Sequence, residues 1–301
     1  MIPPTPDPEP GDKDTVDVDK YDSVADAIAA VPAGGTLKFT AGSAPVTEEL
    51  TFDKAMKIAA NGVEFQKPVV ISNADVSVDG ATFNVQGSNS KDATPAVKVV
   101  GSQPFELANS VIKGTSRNPI LVKTSGEVKI CGNKFDGAGN FYNVIEFSIS
   151  NDEDVTRAEI SDNVFTGMTN NCISLYNMAD GAVVDVKNNK FENISVNVNP
   201  MRLSNPKNVN ATFNVENNTY TFNSETPNAD GYTAFLLCQD YNKSGKRQEF
   251  SQYTVNFVNL KRGDKHLTEQ GEGLDKVYYT YSDRTNSILN AGTNDPTVSF
   301  K

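Results

Sequence analysis

Apolar and polar residues alternate along this chain in one recurring pattern: apolar, any, apolar, two of any kind, a small polar residue, any, apolar. Val128-Lys129-Ile130 leads to Asn133 and Phe135, and Ala158-Glu159-Ile160 leads to Asn163 and Phe165. Val184-Asp185-Val186 leads to Asn189 and Phe191, and Phe213-Asn214-Val215 leads to Asn218 and Tyr220. Looser copies come earlier: Met56 and Ile58 lead to Asn61 and Val63, Val76 and Val78 to Ala81 and Phe83, Phe105 and Leu107 to Ser110 and Ile112. Copies begin roughly 20–30 residues apart, the spacing of one structural unit stacked repeatedly. Alternation over three positions is strand periodicity with one face buried. The Asn that follows predicts a turn, because Asn tolerates left-handed backbone geometry and bonds to neighbouring backbone groups.

Second strand-like runs lie between the copies: Ala96-Val97-Lys98-Val99-Val100, Pro119-Ile120-Leu121-Val122, Val144-Ile145-Glu146-Phe147, Cys172-Ile173-Ser174-Leu175 and Ala234-Phe235-Leu236-Leu237. Two or three short strands per unit at this period form one coil of a parallel β-solenoid. Stacked coils place Phe on Phe and Asn on Asn. Each buried Val, Ile or Phe contributes about 1.5–3 kcal/mol, and amides in register bond along the axis as in stacked amide ladders. The fixed place of the asparagines in the repeat assigns them to structure rather than to a ligand.

Over about residues 21–260 the coils resemble the right-handed parallel β-helix of the pectate-lyase-like superfamily. The resemblance implies an all-β fold, a solenoid with a short N-terminal capping helix. It does not by itself imply an activity, since one scaffold hosts many. A capping segment is visible in the residues: Ser23 followed by Asp26 makes a capping-box variant, and Val24, Ala27, Ile28 and Val31 share a helical face. Pro32-Ala33-Gly34-Gly35 then ends the helix, and Thr36-Leu37-Lys38-Phe39 begins the first strand.

Ahead of the cap, residues 1–20 differ in composition. Ile2, Pro3, Pro4, Pro6, Pro8 and Pro10 preclude helix and central strand and predict an extended, stiff, acidic arm. It reads as a linker or as an anchoring peptide docked on a larger particle, because a Pro-rich arm loses little entropy on binding. The predicted organisation is an arm over 1–20, a helix cap and first strand over 21–45, the β-helix over 46–260 and a C-terminal cap or extension over 261–301. That last segment holds Lys261, Arg262 and Lys265, which with Lys243, Lys246 and Arg247 read as a solvated basic surface. It also holds the alternating aromatic run Val277-Tyr278-Tyr279-Thr280-Tyr281.

Composition narrows the function. A net charge of −11 and a pI near 4.7 argue against nucleic-acid binding. No apolar run reaches the length of a membrane span, and Met1 leads into prolines rather than into a basic segment and apolar core, so no export signal is read. Cys131, Cys172 and Cys238 have no metal spacing and read as free core or turn residues.

Candidate chemistry is sparse. Hydrolases of this fold carry an Asn-Thr-Asp triplet, an Asp-Asp pair and a Gly-His-Gly; the chain has none, and its one histidine, His266, is placed in an exposed loop. Uronate lyases need a basic residue beside bound Ca²⁺. The family's Arg-x-Pro-x-x-Arg is met only by Arg117-Asn118-Pro119, with Val122 at the second Arg and Lys123 after it. Asp152, Glu153 and Asp154 offer oxygen ligands for Ca²⁺ without EF-hand spacing. Asp79, Asp136, Asp162 and Asp185 are candidates for a carboxylate cluster across coils. No catalytic residue and no cofactor is assigned.

The layout of arm, helix cap, short β-helix and small extension also resembles head-fibre or capsid-decoration proteins of tailed phages, notably from Gly34-Gly35-Thr36-Leu37-Lys38-Phe39 to Leu50-Thr51-Phe52-Asp53-Lys54. That resemblance implies a non-enzymatic structural or adhesive protein of the virion surface, tethered to a phage capsid through its arm and commonly a homotrimer. It could bind host or mucus glycans through flank residues such as Asn140, Tyr142, Asn143 and Tyr176. The alternative is a bacterial cell-surface or secreted lyase-like β-helix, active or reduced to a glycan-binding module.

Overall fold

The alternation becomes three long sheets, parallel except for the last strand of the second and of the third. The computed structural model describes residues 14–87, 95–114, 118–137, 141, 143–147, 154–204, 209–228, 233–240, 250–282, 287–288 and 295–301. The first sheet stacks eleven strands in chain order, beginning Thr15–Asp17, Thr36–Lys38, Met56–Ala59 and ending Ala211–Glu216, Tyr253–Val258, Thr297–Phe300. The second runs over nine strands from Glu64–Phe65 through Lys134–Asp136 and Val164–Thr166 to Lys265–Leu267. The third runs over ten, from Leu50–Phe52 through Ile145–Phe147, Ile173–Tyr176 and Met201–Ser204 to Ser287–Ile288. Successive coils pair in parallel and in register, as in Val128↔Ala158, Phe135↔Phe165 and Ile145↔Ile173. The chain is an all-β parallel β-helix.

One continuous core fills the inside of the coils, from Val18 to Val277. Aromatic side chains stack along it: Phe135 on Phe165 at 4.6 Å and Phe165 on Phe191 at 4.9 Å between ring centroids, with nearly parallel ring planes in both pairs. Such pairs add about 0.5–1.5 kcal/mol beyond the area they bury. With Phe65 on Phe83 they form two stacked runs, broken at Ile112, that help hold neighbouring coils in register.

The asparagines form the expected ladder inside the turn between the first and second sheets. Asn133, Asn163, Asn189 and Asn218 are buried. Each Nδ2–H of the first three donates to the next amide oxygen at 3.0 Å. Each amide also donates to a main-chain carbonyl of the preceding coil: Asn133 to Leu107, Asn163 to Ile130, Asn189 to Ile160, Asn218 to Val186. Ser110 extends the column, donating its N–H to Asn133 Oδ1 and accepting from the N–H of Ala81.

Two details differ from the sequence reading. The left-handed turn residue is not the ladder Asn but the residue before it: Gly132, Asp162, Asn188 and Asn217 have φ between 54° and 68°. In the copy beginning at Met56 the turn is two residues longer, with positive φ at both Asn61 and Gly62. Phe65, not Val63, therefore pairs with Phe83, and Asn61 lies outside the ladder.

The helix Val24–Ala30 starts as its sequence predicts, with Ser23 Oγ accepting from Asp26 N–H, and buries Ala27 and Ile28 in the core cluster. No helix among the described residues is long and apolar enough to cross a membrane.

Candidate functional site

Three regions concentrate the residues that sequence reasoning singled out. The first is the N-terminal end. Residues 1–13, with Ile2, Pro3, Pro4, Pro6, Pro8 and Pro10, lie outside the described residues. The segment that follows them is built into the fold: Thr15–Asp17 pairs in parallel with Thr36–Lys38, and Thr36 N–H donates to Asp14 O at 2.7 Å. The chain then turns through Val18–Lys20 into the helix. A hollow of about 440 Å³ lies between this turn and residues 43–48.

The second region is the outward face of the third sheet, where two candidate glycan contacts, Asn143 and Tyr176, are found. Neither is the exposed flank residue expected: they are 1 % and 5 % exposed. Asn140 and Tyr142 lie outside the described residues. Along Ile145–Phe147, Ile173–Tyr176 and Met201–Ser204 both faces are buried, so outward side chains that alternation assigns to solvent are covered. Register places Glu146, Ser174 and Arg202 in one outward column, with Tyr176 and Ser204 in the next. Asn143 Nδ2 donates to Glu146 Oε2, and Arg202 Nη2 donates to Tyr176 Oη with its guanidinium 5.2 Å from the ring centroid. Among the described residues no hydrogen-bond partner reaches the buried Arg202 Nε, Ser174 Oγ or Ser204 Oγ.

A second amide column runs beside this patch, unnoticed in the sequence. Asn143 N–H donates to Asn118 Oδ1 at 3.3 Å, Asn171 Nδ2 to Asn143 Oδ1 at 3.4 Å, and Asn199 N–H to Asn171 Oδ1 at 3.3 Å. Its signal was present: each Asn stands two residues before an inward strand residue, Ile120, Ile145, Ile173 or Met201. Arg202 was missed because Pro200-Met201-Arg202-Leu203 lacks the β-branched residues that reveal the other strands.

The third region is the acidic set. It does not converge. Asp79 accepts from Asn109 Nδ2 at 2.7 Å. Asp185 is held by Arg157 Nη2 at 2.9 Å, Asn214 Nδ2 at 2.8 Å and Lys187 Nζ at 3.5 Å. Asp136 and Asp162 line a separate open hollow with Lys134 and Glu192. Asp154 is half-buried at the start of its strand, whereas Asp152, Glu153 and Arg117 lie outside the described residues; Lys123 is half-buried in the third sheet. Among the described residues no group of three or more His, Cys, Asp or Glu side chains is placed to hold a metal ion. Cys131, Cys172 and Cys238 are free thiols, and burial pushes the latter two well above the ordinary thiol range.

Beyond residue 260 the strands join the same sheets: Tyr278–Ser282 pairs with Leu236–Asp240 and Thr297–Phe300 with Tyr253–Val258. Of the six residues read as a solvated basic surface, Lys243, Lys246 and Arg247 lie outside the described residues, and two of the others are engaged rather than simply solvated. Arg262 Nε and Lys265 Nζ both bind Asp275, at 2.6 and 2.5 Å. Burial raises the Asp275 carboxyl, but hydrogen bonds from Lys265 and Arg262 outweigh it and hold the group below the ordinary range. His266 is exposed on the short strand Lys265–Leu267. Comparison with protein-family models, curated proteins and solved structures gave no match for this chain.

Proposed function

We propose that this protein is a structural and adhesive β-helix, a stiff shaft displayed on a larger assembly and tethered through its N-terminal arm. The observation that carries the reading is the fate of the repeat's polar residues. The amides that recur in every clear copy donate to one another and to main-chain carbonyls inside the turns, so the recurring polar chemistry of the repeat goes into the shaft. A residue repeated for ligand binding would face outward.

The tether follows from the same geometry. Residues 1–13 lead directly into a strand hydrogen-bonded along the first coil, which passes load from the arm into the first sheet. In its fullest form the reading is a phage head fibre or capsid decoration on the virion surface, with right-handed coils and the trimeric state of the fibres it resembles.

Adhesion to host or mucus glycans is assigned to the outward face of the first sheet near its C-terminal end. Register there aligns Thr212, Thr254 and Thr297 in one column, while Asn214, Asn256 and Ser299 in the next are tied to one another by hydrogen bonds. The threonine hydroxyls are neutral donors and acceptors suited to sugar hydroxyls. The test of the tether is a truncation lacking residues 1–13 but keeping Thr15–Asp17. It is expected to keep the melting temperature of the full chain and to lose association with the particle; retained association would overturn the tether.

A further inference from the structure

The hollow at the N-terminal end has a distinctive lining. Its floor exposes apolar surface from Val24, Ala44 and Pro45, laid over the buried Val18, Phe39 and Val46. Tyr21 lines it too and is the exposed large hydrophobic side chain among the described residues, at 39 % exposure. The charged residues lining it, Asp19, Asp22 and Glu48, are all acidic and all exposed. Two nearby cations are committed elsewhere: Lys20 pairs with Asp17 at 2.6 Å, and Lys54 Nζ donates to the carbonyls of Ala29 and Val31 at the helix end. The charged side chains that line the hollow are thus of one sign, on the end of the rod where residues 1–13 join the fold.

We propose that this hollow seats a basic segment of the assembly that carries the rod, an arginine or lysine flanked by an apolar side chain. The proposal rests on the tethered-shaft reading and adds to it the chemistry of the partner. A long basic side chain lays its aliphatic stem along an apolar floor while its charged end meets carboxylates at the rim. A guanidinium also stacks on an exposed tyrosine ring, and carboxylates of one sign draw a basic partner to the end and orient it there. The arm would supply reach and the hollow would fix orientation, two linked contacts whose combined affinity exceeds either alone.

The test uses the full chain and a short synthetic peptide of alternating arginine and leucine, with affinity measured by calorimetry at low and moderate salt. Wild-type protein is expected to bind, more weakly as salt rises. The variant D19N/D22N/E48Q is expected to bind about tenfold more weakly or worse, and Tyr21→Ala to weaken binding with no change in net charge. The variant D53N/D75N/D264N removes the same charge from exposed positions elsewhere and is expected to bind as wild type does. Absence of wild-type binding, or equal weakening in both triple variants, would overturn the proposal. Particle association of the truncation lacking residues 1–13 separates the two ideas. If the truncation detaches and the peptide does not bind, the hollow fails and the tether stands. If the truncation stays attached and the peptide binds only with the hollow intact, the tether fails and the hollow stands.

Discussion

At the scale of the residue, the buried amide is the unit that makes one coil fit the next. Asn163 Oδ1 accepts from both the N–H and the Nδ2 of Asn133, while its own Nδ2 reaches Ile130 O and Asn189 Oδ1. Replacing it with alanine leaves several buried donors and acceptors unmet, at about 1–3 kcal/mol for an orphaned group. Asn163→Ala is therefore expected to lower the urea midpoint clearly while leaving any surface binding intact. Unchanged stability with lost binding would reassign the residue to a ligand. This column was legible because Asn recurs at a fixed offset from Val-x-Ile and Phe. The turn conformation was less so: the left-handed position is filled by Gly132, Asp162, Asn188 and Asn217, a mixture in which no one residue type stands out. The buried state of Asn143 and Tyr176 was not legible at all, because alternation tells which face a side chain takes and not whether that face is covered.

At the scale of the element, most strands were read from alternating β-branched residues; Met201–Ser204, with Pro200 beside it and Arg202 within it, was missed, and so was Val69–Ser72. The short antiparallel pair Leu260–Arg262 and Lys265–Leu267 is tied down by Asp275. Because the folded Asp275 carboxyl lies below its ordinary value of 3.8, this clamp contributes stability above that value and loses it as pH falls through the depressed one. Hydrogen exchange corrected for intrinsic rate should show residues 260–267 loosening on titration below pH 3.8. Asp275→Asn should be loose already at neutral pH and respond little to acid. Full protection of the pair in the variant would show that packing of Leu260 and Leu267, not the clamp, holds it.

At the scale of the whole molecule, repetition is what the chain encodes most strongly: three sheets, one core and two internal amide columns come from a unit about two dozen residues long, as stacked repeats do. The ends carry the individuality. Thr15–Asp17 belongs to the first sheet, although the acidic, Pro-rich composition ahead of it made the whole of 1–20 look like one arm. A cut after residue 13 should leave the fold intact, whereas a cut after residue 20 removes the edge strand and should lower the melting temperature. The central claim is that this shaft is part of a larger particle. Density-gradient fractionation of the native source, followed with an antibody against the chain, tests it most directly. The account predicts cosedimentation with DNA-filled particles. Recovery in the cell envelope or the medium, free of particles, would contradict it.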